Sequence, residues 1–135
     1  MELPYYFTKL KMVKASKFVT KDSGARAEYD SGMVRDTQDG KPNFNLILPE
    51  DMPYDELPLT RWAALMTRGF EKYGYRNWEL ASSSEEMERF KSSAYRHFIQ
   101  WLRDEKDEDH MAATWFNMQA VELIKWKQIN QKEKE

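Results

Sequence analysis

From residue 58 onward, apolar residues recur at intervals of three and four positions, which is the spacing of one face of an α-helix. The first such segment contains Trp62, Leu65, Met66, Gly69, Phe70 and Tyr73. Pro58 suits the first helical turn, where its missing N–H costs nothing, and Gly74 suits the C-terminal cap. The period and the end signals therefore agree on a helix over 57–73.

Two more helical segments follow. The second begins with serines at capping-box distance from glutamates, and its apolar face contains Met87, Phe90, Ala94, His97, Phe98 and Trp101. Residues 110 to 128 present an apolar surface that is too broad for an isolated surface helix. We therefore predict helices over 84–104 and 108–128. Together the three helices make an all-α antiparallel bundle behind a loop-rich N-terminal segment.

Composition restricts the function further. The chain has 135 residues, a formal net charge of −2 and no Cys. This is typical of a single domain, here with a loop-rich segment over 1–56 and a helical core over 57–128. The lack of Cys excludes a disulfide scaffold, a Cys-ligated zinc site and a thiol nucleophile, so any metal would bind oxygen or imidazole ligands. No apolar run approaches the roughly 20 residues that cross a bilayer, and we expect a cytoplasmic protein with no membrane partner.

The broad apolar face of the third helix must be covered on more than one side, either by the N-terminal half of the chain or by a second subunit. We expect a homodimer or a homotetramer. The first 21 residues carry Lys9, Lys11, Lys14, Lys17 and Lys21 against a single acid. Because this basic arm has no Gly-rich or Arg-rich pattern, we expect a solvated arm and no nucleic-acid partner.

The only two histidines lie near the facing ends of a predicted helical hairpin, where antiparallel pairing brings His97 close to His110. His97 shares the apolar stripe of its helix, so it is either a hydrogen-bonded core histidine or part of a site. His110 lies in a polar row with Asp107, Thr114 and Asn117. This row faces either water or a site, because each buried polar group left unpaired costs on the order of 1–3 kcal/mol.

A second cluster occupies residues 70 to 78, at the end of the first helix. It combines an acid, two bases, an amide and several aromatic rings. A carboxylate can hold a divalent cation, Lys and Arg can neutralise a polyphosphate, and a ring can stack on a base. The alternative is a helix C-cap with a surface salt bridge and an aromatic residue that anchors the loop.

Two pairs of glutamates have E-x-x-E spacing, namely Glu85 with Glu88 and Glu105 with Glu108. The first pair lies in the first turn of the second helix and the second pair follows its end, about 25–30 Å away at 1.5 Å per residue. First-turn acids are also expected from capping and the helix dipole. We therefore assign these glutamates to a solvated face.

Five short motifs occur in a fixed order along the chain. They are Ser31-Gly32-Met33-Val34-Arg35-Asp36, then Gly40-Lys41-Pro42, then Glu71-Lys72-Tyr73-Gly74 with Arg76-Asn77-Trp78, then Arg96-His97, then Asp107-Glu108-Asp109-His110-Met111-Ala112-Ala113 with Trp115 and Asn117. In this order they resemble the phage dATP/dGTP diphosphohydrolase family over about residues 31 to 125. That family is similar to the all-α, MazG-like nucleotide pyrophosphohydrolases and includes the phage MazZ enzymes.

The resemblance implies hydrolysis of a purine deoxynucleoside triphosphate to the monophosphate and pyrophosphate with Mg²⁺ or Mn²⁺, in the host cytoplasm if the chain is phage-encoded. Glu71 and Asp109 are then the expected metal ligands, and the expected catalytic residues are Glu71, His97, Asp109 and His110. The expected substrate-binding residues are Arg35, Lys41, Lys72, Arg76, Asn77, Trp78, Arg96 and Asn117.

A non-enzymatic α-helical adaptor is the alternative. It would use the aromatic third helix for a protein partner and the basic arm for nucleic acid. The two hypotheses differ in their response to ligand, because a ligand that binds only the folded form raises thermal stability. An enzyme predicts such a rise with Mn²⁺ plus a purine deoxynucleoside triphosphate, and an adaptor predicts none.

Overall fold

The structure, a computed structural model, describes residues 18–134. The chain divides into two compact units, residues 1–44 and residues 45–135. Four of the five lysines of the basic arm, Lys9, Lys11, Lys14 and Lys17, lie outside the described residues, so the predicted arm is a prediction still. The two units are described separately below.

The first unit contains a β-hairpin that the sequence did not predict. Strand β1 (Arg26–Glu28) pairs antiparallel with β2 (Val34–Asp36), and Ala27 lies opposite Arg35. Each strand has only three residues, too few to show an alternating pattern. The Asp36 carboxylate accepts hydrogen bonds from the Ser23 hydroxyl and from Lys41 Nζ, the latter at 3.0 Å. It thereby joins the segments on either side of the hairpin.

The second unit contains three α-helices: α1 (Pro58–Tyr73), α2 (Ser84–Leu102) and α3 (His110–Lys134). Contacts across the chain fix their directions. Gln128 Nε2, late in α3, lies 3.4 Å from the Ser84 hydroxyl at the start of α2, so α2 and α3 are antiparallel. Arg61 in the first turns of α1 contacts Asp109 just before α3, so α1 and α3 run in the same direction. The described part of the chain is mostly helical, and the predicted all-α bundle is confirmed.

The local end signals of the helices are also confirmed. Pro58 occupies the first turn of α1, and Gly74 ends it with φ of 94°, a backbone conformation that glycine adopts without strain. The Ser83 hydroxyl accepts the Glu86 N–H while the Glu86 carboxylate accepts the Ser83 N–H, which is a complete capping box at the start of α2.

Helix α3 runs six residues beyond its predicted end at residue 128. Lys127 explains part of the difference, because its Nζ donates to the carbonyl oxygens of Glu79 and Ala81, the latter at 2.8 Å. These two hydrogen bonds hold the last turns of α3 against the segment between α1 and α2. The glutamine- and lysine-rich end of α3 also has good helix propensity, so it continues the helix.

The core of the second unit lies along α3. Ala112, Ala113, Ala120, Val121 and Ile124 are buried on this helix. Aromatic rings cover it edge to face: Trp62 of α1 packs on Trp115 at 5.8 Å, and Phe90 of α2 packs on Phe116 at 6.0 Å. Helices α1 and α2 therefore cover the broad apolar face from two sides.

Some large apolar side chains of α3 stay exposed within this chain, among them Met118, Trp126 and Ile129. The expected homodimer or homotetramer is a prediction that awaits measurement. Within residues 18–134, no helix combines the length and the apolar character that crossing a membrane requires.

Candidate functional site

The two histidines meet in the interior of the second unit, as the hairpin prediction requires. His97 is 7% exposed and His110 is 2% exposed. Their Nδ1 atoms lie 2.9 Å apart. The His97 imidazole is therefore buried and hydrogen-bonded to a second imidazole. This geometry fits both a core histidine and a histidine that is part of a site.

The neighbours of the pair set the position of each ring proton. Arg96 can only donate, so its NH2 group, 3.4 Å from His97 Nε2, makes that nitrogen the acceptor. His97 then carries its proton on Nδ1 and donates it to His110 Nδ1. On the far side of the pair, His110 Nε2 donates to an Asp107 carboxylate oxygen at 2.7 Å. A chain of three hydrogen bonds thus runs from Arg96 to Asp107.

Electrostatics favours a neutral His97 ring. Burial lowers the pKa of His97, and the nearby charge of Arg96 lowers it further. The hydrogen bond from His110 lowers the pKa of the Asp107 carboxyl, which keeps that group an ionised acceptor. His97 is therefore neutral around pH 7 and available as a hydrogen-bond partner or as a ligand.

Glu108 completes a group of three possible metal ligands. One ligand atom each from His97, Glu108 and His110 lie within 4.8 Å of one another, and the Glu108 side chain is exposed. The sequence predicts a solvated face for Glu108, which is not among the expected site residues. Its position two residues before a histidine that begins a helix was the signal that could have found it.

Asp109, an expected metal ligand, is bound on both oxygens by Arg61. Arg61 Nε lies 2.8 Å from Oδ2, and Arg61 NH2 lies 2.8 Å from Oδ1. Oδ1 also accepts the Ala112 N–H at 3.1 Å, which caps the start of α3. The guanidinium of Arg61 holds the pKa of the Asp109 carboxyl below its usual range. Arg61, 48 residues away in the chain, is not among the site residues expected from the sequence.

An open cleft of about 420 Å³ borders these acids. Three consecutive carboxylates and two cationic side chains line it together with apolar groups; the lining residues are Leu65, Arg68, Lys106, Asp107, Glu108, Asp109 and Ala113. Opposite charges of this kind suit a ligand that carries both anionic groups and a cation. The cleft lies where Leu65 and Arg68, in the middle of α1, face the α2–α3 turn.

The structure places the expected residues of the segment 70 to 78 elsewhere. Glu71 is exposed and lies three residues beyond Arg68 of the cleft, about 4.5 Å further along α1. Its neighbour Lys72 lies 5.0 Å above the Tyr73 ring. Neither residue lines the cleft described above.

The remaining members of that segment have local contacts. Arg76 pairs with Glu79, and Asn77 begins a short 3-10 helix that ends at Leu80. The Trp78 ring packs edge to face on Phe116 at 5.7 Å, so this ring serves the core in the present structure. These contacts match the predicted alternative for this segment, namely a helix C-cap with a surface salt bridge and an aromatic residue that anchors the loop.

The other expected substrate-binding residues fall in three places. Asn117 is buried and donates to the Ala113 carbonyl at 2.7 Å, within α3. Arg96 contacts Gln100 and His97 at the end of α2. Arg35 and Lys41 belong to the hairpin unit, where Lys41 is paired with Asp36. The expected roles of all these residues in substrate binding are still predictions.

Comparison with known proteins identifies the family. A family model described as dATP/dGTP diphosphohydrolase, N-terminal, matches residues 31–134, which is more than half of the chain. Searches of curated proteins and of solved structures return no match. The match includes every residue of the cleft and of the histidine pair, and the chain therefore belongs to the dATP/dGTP diphosphohydrolase N-terminal family.

Proposed function

We propose that this chain hydrolyses a purine deoxynucleoside triphosphate, dGTP or dATP, to the monophosphate and pyrophosphate. We place the reaction at the cleft between α1 and the α2–α3 turn, with a divalent cation such as Mg²⁺ or Mn²⁺, and in the host cytoplasm as part of phage nucleotide metabolism. One observation supports this most: a single cleft in a member of this family combines cationic side chains with three consecutive carboxylates beside a histidine pair.

Phosphate binding follows from the cationic side of the cleft. Arg68 on α1 and Lys106 in the α2–α3 turn both border it. A triphosphate is polyanionic, and hydrogen bonds from charged donors to its oxygens are stronger than those from neutral donors. Arg61, by contrast, is committed to Asp109. We therefore assign the polyphosphate to Arg68 and Lys106.

The acidic side of the cleft fits a divalent cation. The ligand atoms of His97, Glu108 and His110 already lie within 4.8 Å of one another. A cation held there would neutralise phosphate charge and activate water for attack on phosphorus. Asp109 lies in the same cleft and is held in place by Arg61. Glu71 and Lys72 follow Arg68 by one helical turn on α1 and lie outside the lining of the cleft.

The protein groups have distinct tasks in this proposal. Asp107 fixes the ring of His110 through its Nε2 proton. His97, buried and neutral, would serve as a ligand of the cation together with His110. Arg61 orients Asp109 and anchors α1 against the start of α3. These contacts hold the cleft residues in fixed geometry, which hydrolysis of this kind requires.

Product analysis tests the proposal. The full chain is incubated with each of the four deoxynucleoside triphosphates and Mg²⁺ or Mn²⁺, and the products are separated. We expect monophosphate and pyrophosphate from dGTP or dATP. Nucleoside plus triphosphate would indicate another phosphohydrolase reaction, and no product from any nucleotide would favour the adaptor alternative.

A pair of variants localises the reaction. Arg68→Ala removes a cation from the cleft, and we expect it to raise KM by about tenfold, the scale of one lost charged hydrogen bond. Glu85→Gln changes an exposed acid at the start of α2, far from the cleft, and should leave the rate within about twofold of wild type. An equal loss of hydrolytic activity in both variants would contradict the assignment of the reaction to this cleft.

A further inference from the structure

We propose that His97, Glu108 and His110 bind one divalent transition-metal cation, with both histidines coordinating through Nδ1 and with Asp107 supporting His110 from behind. This assignment names the place and the chemical class of the cation. The role of that cation in hydrolysis rests on the proposed function, whereas its binding does not.

The distance between the imidazoles fits shared coordination. Two nitrogens that each bind one metal at about 2.1 Å, with an angle near 90° between them, lie about 3.0 Å apart. The two Nδ1 atoms lie 2.9 Å apart. The separation of the two nitrogens is therefore that of neighbouring ligands in one coordination sphere, and the rings would turn so that both lone pairs converge on the cation.

Asp107 gives His110 the correct tautomer for a ligand. Its carboxylate accepts the Nε2 proton of His110 at 2.7 Å, so His110 Nδ1 carries a lone pair that points at His97. Histidines that bind metals almost always donate their second ring N–H to a carboxylate, a carbonyl or water. The His110–Asp107 pair has this arrangement.

Glu108 supplies both the third ligand and the access route. The two imidazoles are more than nine-tenths buried, whereas the Glu108 side chain is exposed and borders the cleft. A cation can therefore reach the imidazoles from the cleft by way of this carboxylate. Since three protein ligands leave at least one coordination position open, a phosphate oxygen or a water can bind there.

The donor set selects the class of metal. Imidazole nitrogen suits Zn²⁺, Ni²⁺, copper and iron, whereas Mg²⁺, Ca²⁺ and Mn²⁺ prefer oxygen ligands. Two nitrogens and one carboxylate therefore favour a transition metal over Mg²⁺. For the proposed function, this predicts a preference for Co²⁺ or Zn²⁺ over Mg²⁺.

Binding requires one proton to move. In the metal-free pair, His97 donates its Nδ1 proton to His110, so this proton must leave before Nδ1 can coordinate. It can pass to Nε2 of the same ring if Arg96 turns away, and Arg96 is exposed and has a second partner in Gln100. The competing state is the closed hydrogen-bond chain from Arg96 to Asp107, which is complete without a metal.

Metal titration without nucleotide tests the site. Chelator-treated full-length protein is titrated with Co²⁺, Mn²⁺, Zn²⁺ and Mg²⁺ by calorimetry, and visible absorption of bound Co²⁺ reports nitrogen ligation. We expect one Co²⁺ per chain, absorption bands shifted from those of aqueous Co²⁺, and Mg²⁺ at least about tenfold weaker. Absence of Co²⁺ binding at millimolar concentration overturns the proposal in favour of a purely structural histidine pair.

Three variants at exposed or partly exposed acids separate the possible ligand sets. Glu108→Gln removes a ligand and should weaken Co²⁺ binding by at least about a hundredfold, and Asp107→Asn should weaken it by about 10–100-fold. Glu105→Gln changes an exposed acid in the same turn and is the matched control, with unchanged affinity expected. Circular dichroism confirms that each variant is folded.

Asp109→Asn decides between this site and the one expected from the sequence. It keeps the α3 cap, since Asn caps about as well as Asp. If Asp109→Asn abolishes Co²⁺ binding while Glu108→Gln does not, our ligand assignment is wrong. If Co²⁺ binds as described but no nucleotide is hydrolysed, the metal site stands and the proposed function fails.

Discussion

The ion pair between Arg61 and Asp109 joins the start of α1 to the start of α3, and its strength can be measured by a double-mutant cycle. Arg61→Met keeps the apolar stem of the side chain and removes the guanidinium. Asp109→Asn keeps the cap to Ala112 and removes the charge. We expect each single substitution to destabilise the fold, and the double variant to cost little more than either one.

The expected magnitude follows from the geometry and the exposure of the pair. Two donors of Arg61 meet two carboxylate oxygens at 2.8 Å, and the side chains are 41% and 19% exposed. Shielded charged hydrogen bonds are worth about 1.5–3 kcal/mol, whereas exposed ion pairs are worth about 0.2–1 kcal/mol. After allowance for solvent screening, a partly buried bidentate pair should give a coupling energy of about 1–1.5 kcal/mol.

Urea unfolding followed by circular dichroism gives the four free energies of unfolding. The pair Lys125 and Glu122, which lies exposed one turn apart on α3, is the matched control and should show about 0.2–0.5 kcal/mol. If the losses of unfolding free energy in the two single variants instead add up to the loss in the double variant, the coupling energy is below about 0.3 kcal/mol. That result would refute the idea that this contact holds the two helices together.

Three further outcomes are expected. The pKa of the Asp36 carboxyl is well below its usual range because Ser23 and Lys41 donate to it. A carboxyl whose pKa is lower in the folded than in the unfolded chain stabilises the fold at pH values above the unfolded pKa. NMR contacts between β1 and β2 should therefore persist above about pH 4 and fade as the pH falls further. The Asp36→Asn variant should show no such change with pH. Lys127→Met should speed amide exchange in the last turns of α3 by about tenfold, because two carbonyl contacts are lost, whereas Lys125→Met should not. Ser83→Ala should lower the free energy of unfolding in urea by about 1 kcal/mol through loss of the capping box, and no change would contradict that assignment.

The sequence determined the helices because their signals are local. Apolar residues at three- and four-residue spacing, a proline in a first turn and a serine–glutamate capping box act within a few residues of one another. The closeness of His97 and His110 was also predictable, since a short connection between two helices leaves antiparallel pairing as the simple solution. The end of α3 was less predictable, because Lys127 binds carbonyl groups that lie 46 and 48 residues earlier in the chain.

Only the tertiary structure decided which charged groups share one cleft. A carboxylate or a guanidinium has no local pattern that names its partner, so the pairing of Arg61 with Asp109 across 48 residues was invisible in the sequence. For the same reason the sequence predicted a solvated position for Glu108, whereas the structure shows it beside two imidazoles. Only the structure shows that the lining of the cleft includes Arg68 but not Glu71, one helical turn further along α1.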